Sequence, residues 1–162
     1  MKITKVVATP VYVPMEAPLR WCMGVEHGTT RTIVEVHTDE GIVGIGESVG
    51  GASLAQRIKE SAPLYMDLDP FEVGKLVKRF EVFKVTSEQT ARSAEMKFVL
   101  SALEIAFWDI IGKALNKPVS ALWGGADKTA VPDAAYVFYR YKSEDGRFGG
   151  EDSPQGIVDR YT

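Results

Sequence analysis

Few side chains in this sequence are equipped for reactive chemistry: two histidines, His27 and His37, and one cysteine, Cys22. Neither histidine has a second His or Cys at metal-ligand spacing, which argues against zinc. Cys22 has no His or Lys beside it, so nucleophilic catalysis has little support. Glu104 and Asp109 stand five apart on a predicted helix, whereas i,i+3 or i,i+4 spacing is needed to share a face. Gly44-x-Gly46 lacks the third glycine and the following helix of a dinucleotide site. His37 sits beside Val36 in an alternating strand and reads as structural. His27 lies between Glu26 and Gly28 in a segment without periodicity. Tyr136 and Phe138 alternate within a strand-like run, which puts both on one face.

The elements that must position these residues begin with β-structure. Ile3–Val13 is rich in Val, Thr and Tyr, with Pro10 and Pro14 pushing it towards an edge. Glu16–Thr29 reads as a loop of fourteen residues, a length at which loops often bind or close over ligands. Arg31–Thr38 alternates, Asp39-Glu40-Gly41 signals a hairpin, and Ile42–Val49 returns. Gly44 and Gly46 in that return predict a bulge or a close backbone approach, and Gly50-Gly51 a turn or a flexible loop. Helices follow: Leu54–Tyr65 behind Ser53 as cap, then one opened by Asp69-Pro70. The longest, Ala91–Leu115, has Phe98, Ala102, Ile105, Trp108 and Gly112 on its apolar face and stops at Asn116-Lys117-Pro118. A helical turn over Val119–Leu122, a strand over Val131–Tyr139 and a helix from Pro154, capped by Ser153, complete the reading.

Composition narrows the class. The 162 residues carry 19 Lys+Arg against 22 Asp+Glu, a formal charge of −3. No basic run stands out, against a nucleic-acid partner. No apolar stretch approaches the roughly 20 residues of a membrane span, and Met1–Lys5 lacks the apolar core of a signal peptide. With its single cysteine, the chain fits the reducing cytoplasm.

Two segments carry a resemblance. One is the hairpin Thr38-Asp39-Glu40-Gly41-Ile42-Val43-Gly44-Ile45-Gly46-Glu47. The other runs from Ala102-Leu103-Glu104-Ile105-Ala106-Phe107-Trp108-Asp109-Ile110-Ile111-Gly112-Lys113 through Pro118-Val119 to Leu122-Trp123-Gly124-Gly125. In this order they resemble the N-terminal capping domain of the enolase superfamily, on its mandelate racemase and muconate lactonizing enzyme side. Ala134-Ala135-Tyr136-Val137-Phe138-Tyr139-Arg140-Tyr141 is similar to the first barrel strand of glucarate dehydratase-like acid-sugar dehydratases. Gly24–Arg31 is similar to their substrate-capping loop.

The resemblance implies an α+β fold: a three-stranded antiparallel meander and a helical bundle over residues 1–128, then the first strand and helix of a (β/α) barrel over 129–162. It also implies Mg²⁺ and a Lys or His base that removes the proton alpha to a carboxylate, the charge on the resulting enediolate being offset by the metal. His27, Thr90, Tyr136 and Phe138 become substrate-binding candidates, with Tyr136 offering a hydroxyl. The plainer alternatives are a solvated loop histidine and ordinary core aromatics. Trp21, Cys22 and Met23 would either exclude water from a closed site or anchor the loop to the cap, and Glu104 and Asp109 would make contacts at the cap–barrel seam.

The family's Lys-x-Lys base and its Mg²⁺ ligands have no match in the sequence. A barrel takes about 200–250 residues, while 34 follow Lys128. The expectation is therefore the capping, specificity-determining part of a Mg²⁺-dependent dehydratase, inactive alone, with a barrel stub that is disordered, swapped, or paired with a complementary barrel segment or another copy. The alternatives are a racemase or cycloisomerase of the same superfamily and a non-catalytic interaction domain.

Overall fold

A computed structural model of the chain describes residues 1–86, 93–134 and 136–161. The architecture is α+β. Strands β1 (Ile3–Trp21), β2 (Gly24–Thr38) and β3 (Val43–Val49) lead into helix α1 (Ala52–Ser61), a 3-10 turn (Ala62–Tyr65), α2 (Val73–Thr86), α3 (Ser93–Leu115) and α4 (Val119–Leu122). A two-residue strand β4 (Tyr139–Arg140) and helix α5 (Pro154–Tyr161) follow. The sheet order is β3-β2-β1-β4, so β3 is an outer strand. The chain forms two compact units: Met1–Val11 with Thr30–Asp127, and Tyr12–Thr29 with Lys128–Thr162.

In the first unit β2 and β3 pair antiparallel from Arg31↔Val49 to His37↔Val43. Alternation buries Thr32, Val34, Val36 and Thr38 on one face of β2. That face shares one core with Leu54 and Ile58 of α1, Leu76 and Phe80 of α2, and one side of α3. The buried row of α3 is Met96, Val99, Ala102, Leu103, Ala106, Phe107 and Ile110, the i,i+3/i+4 spacing of a core-facing stripe. Phe98 and Ile105, predicted on that stripe, lie outside it at 40% and 48% exposure, because α3 meets β3 through Ala102, Ala106 and Ile110. A Cβ on Gly44 or Gly46 would overlap the carbonyl oxygens of Ala106 and Ala102 respectively, which is the close approach the two glycines predicted.

Some expected starts differ. Gly51, not Ser53, occupies the cap position of α1, with no side-chain cap hydrogen bond. Thr32 Oγ1 donates to the carbonyls of Gly50 and Gly51, so the Gly50-Gly51 segment is a tied turn. Asp69 accepts the Phe71 amide at 3.0 Å, forming a side-chain turn that delays α2 to Val73. Asn116, at φ 50°, ends α3 in the left-handed region.

The largest departure is in the second unit. Glu16–Thr29 is not a loop: β1 continues to Trp21, β2 starts at Gly24, and Cys22-Met23 is the turn between them. Gly24, at φ 136°, supplies the conformation that the turn requires. The segment has no hydrophobic period because nearly all of Tyr12–Thr29 is exposed or half-buried, Ala17 being the buried exception. A ladder wetted on both faces needs no alternation. The strand expected over Val131–Tyr139 is reduced to Tyr139–Arg140, which pairs with Leu19 and Arg20 of β1. Val131–Phe138 has no ladder partner among the described residues, and without one a strand's backbone groups stay unpaired. α5 is capped as expected, Ser153 Oγ accepting the Gly156 amide at 3.2 Å.

Candidate functional site

The second unit gathers three of the four sequence candidates. His27, exposed on β2, lines a cavity of about 500 Å³ with Pro14, Met15, Glu16, Ser143, Arg147 and Phe148. Its floor is made by a tight turn: Ser143 donates its amide to the Phe148 carbonyl at 2.8 Å, and its hydroxyl donates to Asp145 at 2.7 Å. Asp145 also accepts from the Arg147 amide at 3.0 Å and from its guanidinium. The Ser143 hydroxyl, then the Arg147 amide and guanidinium, hold the Asp145 carboxyl below its ordinary range.

Next to His27, Gly28 allows β2 to press on β1. A Cβ there would lie 2.5 Å from the Tyr12 hydroxyl and 2.6 Å from the Val13 carbonyl oxygen. This is a site residue that sequence reasoning missed. A glycine beside a candidate ligand within a β-branched run was the available signal.

Tyr136 and Phe138 share a face, as their alternation predicted, with ring centroids 4.5 Å apart. Tyr136 is 81% exposed and Phe138 half-buried, so Tyr136 is no core aromatic. Both line a second cavity, of about 400 Å³, with Pro14, Met15, Glu16, Leu19 and Arg140. His27 is therefore not in the same cavity as the two aromatics, but both cavities border Pro14–Glu16 of β1. Arg140 shares the cavity of Tyr136, the i,i+2,i+4 consequence of an extended chain. Tyr139 faces a different hollow with Arg20, Trp21 and Cys22. Thr90 lies outside the described residues.

A buried carboxylate, also missed from sequence, fixes Arg140. Glu151 is 4% exposed and accepts from Arg140 Nε and Nη2 at 3.1 Å each and from Arg160 Nη1 at 2.6 Å. Backbone bonds reinforce the clamp, from the Arg140 amide to the Glu151 carbonyl at 3.1 Å and from the Gly150 amide to the Arg140 carbonyl at 3.0 Å. The Arg140 guanidinium holds the Glu151 carboxyl below its usual range, against the opposing effect of burial. No sequence pattern announces a Glu and two Arg that meet only after folding.

Trp21, Cys22 and Met23 sit exposed at the hairpin tip, Met23 at 78%, and the Trp21 indole donates to Glu26 at 3.3 Å. Asp109 accepts the Ile45 amide at 2.7 Å and Lys113 Nζ at 2.6 Å, a structural contact of α3 with β3. Among the described residues no three His, Cys, Asp or Glu side chains converge on a metal position, so these residues do not fit a Mg²⁺ centre. No helix among them is long and apolar enough to cross a membrane.

The chain is 32% identical to a probable glucarate dehydratase of Streptomyces coelicolor, over 98% of its own length and 41% of that protein. It is 33% identical to a chloromuconate cycloisomerase of Pseudomonas sp. strain P51, over 83% of the chain and 36% of the relative. An N-succinyl-L-Arg/Lys racemase of Bacillus cereus is 32% identical over 77% of the chain. Among solved structures, an enolase of Thermobispora bispora complexed with magnesium and formate superposes with TM-score 0.84 at 33% identity, covering 99% of this chain and 41% of that one. An enolase of Pseudomonas fluorescens with bound magnesium, potassium and tartrate gives 0.83 at 28% identity, over 98% and 41%. The chain thus spans about two-fifths of the length of its dehydratase relative. With residues 3–124 matching the mandelate racemase / muconate lactonizing enzyme N-terminal domain, the chain belongs to that family of the enolase superfamily.

Proposed function

We propose that this chain is the capping, substrate-specificity part of a Mg²⁺-dependent acid-sugar dehydratase of the glucarate dehydratase type. Residues 1–128 form the cap and 129–162 the first strand and helix of a (β/α) barrel. The observation that carries the reading is the pair of cavities bordering Pro14–Glu16, one with His27, Ser143 and Arg147, the other with Tyr136, Phe138 and Arg140. Imidazole, hydroxyl and guanidinium groups suit a ligand that presents a carboxylate and several hydroxyls. The likeness to the Streptomyces dehydratase supports it further, since it runs through 98% of the chain, where the cycloisomerase match covers 83%.

In this reading His27 and the Tyr136 hydroxyl hydrogen-bond substrate oxygens, Phe138 packs on the carbon chain, and Thr90 adds a hydroxyl contact. The base and the metal ligands belong to the part of the family fold that these residues do not span, supplied by a complementary barrel segment. The net reaction removes the proton alpha to the carboxylate and the neighbouring hydroxyl as one water. The enol left behind takes up a solvent proton on the carbon that lost the hydroxyl and releases its own hydroxyl proton, giving a keto-deoxy acid. The single cysteine, Cys22, left as a free thiol, supports a reducing cytoplasm as its compartment.

The test is the protein as its source makes it, incubated with a panel of acid sugars with Mg²⁺ or with chelator. Keto-deoxy acid forms from at least one of them, only with Mg²⁺; no keto acid from any would overturn the reading. A second reading, a racemase or cycloisomerase, draws on the equally high identities of 33% and 32% to such relatives. It predicts products with the mass of the substrate.

A further inference from the structure

The outer strand β3 poses a problem that its neighbours solve. Antiparallel pairing with β2 uses the backbone groups of alternate residues only, and the remaining groups of an outer strand face outward as a template for another strand. On β3 the outward set includes Val43 and Ile45, as their contacts show: Ile45 donates its amide to Asp109 Oδ2 at 2.7 Å, and the Val43 carbonyl accepts from Lys113 Nζ at 2.7 Å. Asp109 and Lys113 are also bonded to each other at 2.6 Å, one turn apart on α3. A single helical ion pair therefore occupies one donor and one acceptor of the strand's free edge. It reaches them because Gly44 and Gly46 let the α3 backbone come against β3.

The surroundings make such a lock useful. Beside the edge, Ile45, Ile105, Trp108, Val119 and Trp123 line an apolar hollow of about 550 Å³. Ile45 is 45%, Ile105 48% and Trp123 66% exposed. An open edge flanked by apolar side chains is the arrangement that invites edge-to-edge pairing. The natural occupant is a second copy of β3: antiparallel pairing centred on Ile45 sets Ile45 against Ile45 and Val43 against Glu47, with no like charges opposed.

We propose that the Asp109–Lys113 pair is an edge lock, which closes β3 to strand addition by a second copy of this chain. It depends on neither the metal nor the substrate, so its failure leaves the dehydratase reading untouched. The test uses the full chain, comparing wild type with Asp109→Ala, Asp109→Asn and Lys113→Met. The readouts are amide hydrogen exchange of the segment 42–49 and sedimentation across a concentration series.

Removing the carboxylate speeds exchange at the Ile45 amide about tenfold or more and gives a concentration-dependent dimer. Asp109→Asn, which keeps an acceptor oxygen for Ile45, stays near wild type in exchange. Lys113→Met frees the Val43 carbonyl and also associates. Should Asp109→Ala fail to fold, Lys113→Met decides. The idea is overturned if Ile45 exchange is unchanged without the carboxylate, if the folded variants assemble no further than wild type, or if wild type already pairs through β3.

Discussion

Gly46 lies against the backbone of Ala102 so closely that a Cβ at residue 46 would overlap the Ala102 carbonyl oxygen and stand 3.2 Å from the Ala106 amide nitrogen. Two small residues thereby set the spacing of β3 and α3. That spacing in turn lets Asp109 reach the Ile45 amide.

Gly46→Ala should therefore destabilise the fold by about 3 kcal/mol, the upper range for overpacking, because rigid backbone rather than a yielding side chain meets the new methyl. Urea unfolding should show a lower midpoint with an unchanged slope. A variant as stable as wild type would mean that the helix stands off from the strand.

The Glu151 clamp has a pH signature. Its carboxyl is held below the ordinary value of 4.5, first by Arg140. A depressed carboxyl stabilises the folded state above its unfolded pKa, and that contribution is lost as pH falls through the folded value. Protection of residues 139–160 against hydrogen exchange should drop below about pH 4.5. Glu151→Gln should remove about 2–3 kcal/mol of local stability at neutral pH and shrink the acid transition to the part that Asp145 carries. An acid transition of undiminished size in the Gln variant would assign it to another group.

Tyr65 titrates in the opposite sense. It is fully buried, its hydroxyl has no well-formed hydrogen-bond partner among the described residues, and burial pushes its ionisation up to about 12, only partly offset by Ser61. A raised pKa leaves its contribution intact below the unfolded value of 10 and loses it as pH rises towards 12. Absorbance titration should show one late tyrosine and a cooperative alkaline unfolding. Tyr65→Phe, which deletes a hydroxyl with little to bond, should stay within about 1 kcal/mol of wild type or exceed it. A loss well beyond that would reveal a strong bond at the hydroxyl.

The proposed site makes a kinetic prediction. In the intact enzyme, His27→Ala should raise KM for the acid sugar about tenfold with a smaller change in kcat, as expected for a lost hydrogen bond to a bound oxygen. Gly28→Ala should do the same without touching substrate, because its Cβ would force Tyr12 and Val13 away. Unchanged KM in both would remove His27 from the site.

How much of this was legible beforehand divides along burial. Where a strand buries one face, as Thr32 to Thr38 does, periodicity announced it; on α3 it announced the helix but set Phe98 and Ile105 on the wrong side. The glycine pair in β3 foretold a close approach because only glycine tolerates one. The hairpin from Tyr12 to Thr29 was unreadable, since a ladder wetted on both sides leaves no hydrophobic period and its turn rests on one glycine at Gly24. Of the site, the shared face of Tyr136 and Phe138 followed from alternation alone. The meeting of Arg140 with Glu151 and of Asp109 with Ile45 did not, because partners 11 and 64 residues apart are joined only by the tertiary fold.

The most direct measurement is the product formed in heavy water when the protein, as its source makes it, meets an acid sugar and Mg²⁺. A dehydratase yields a keto-deoxy acid lighter by one water, with solvent deuterium on the carbon beside the new carbonyl. Deuterium at the carbon alpha to the carboxylate, with every hydroxyl retained, would contradict the dehydratase and assign this cap to a racemase.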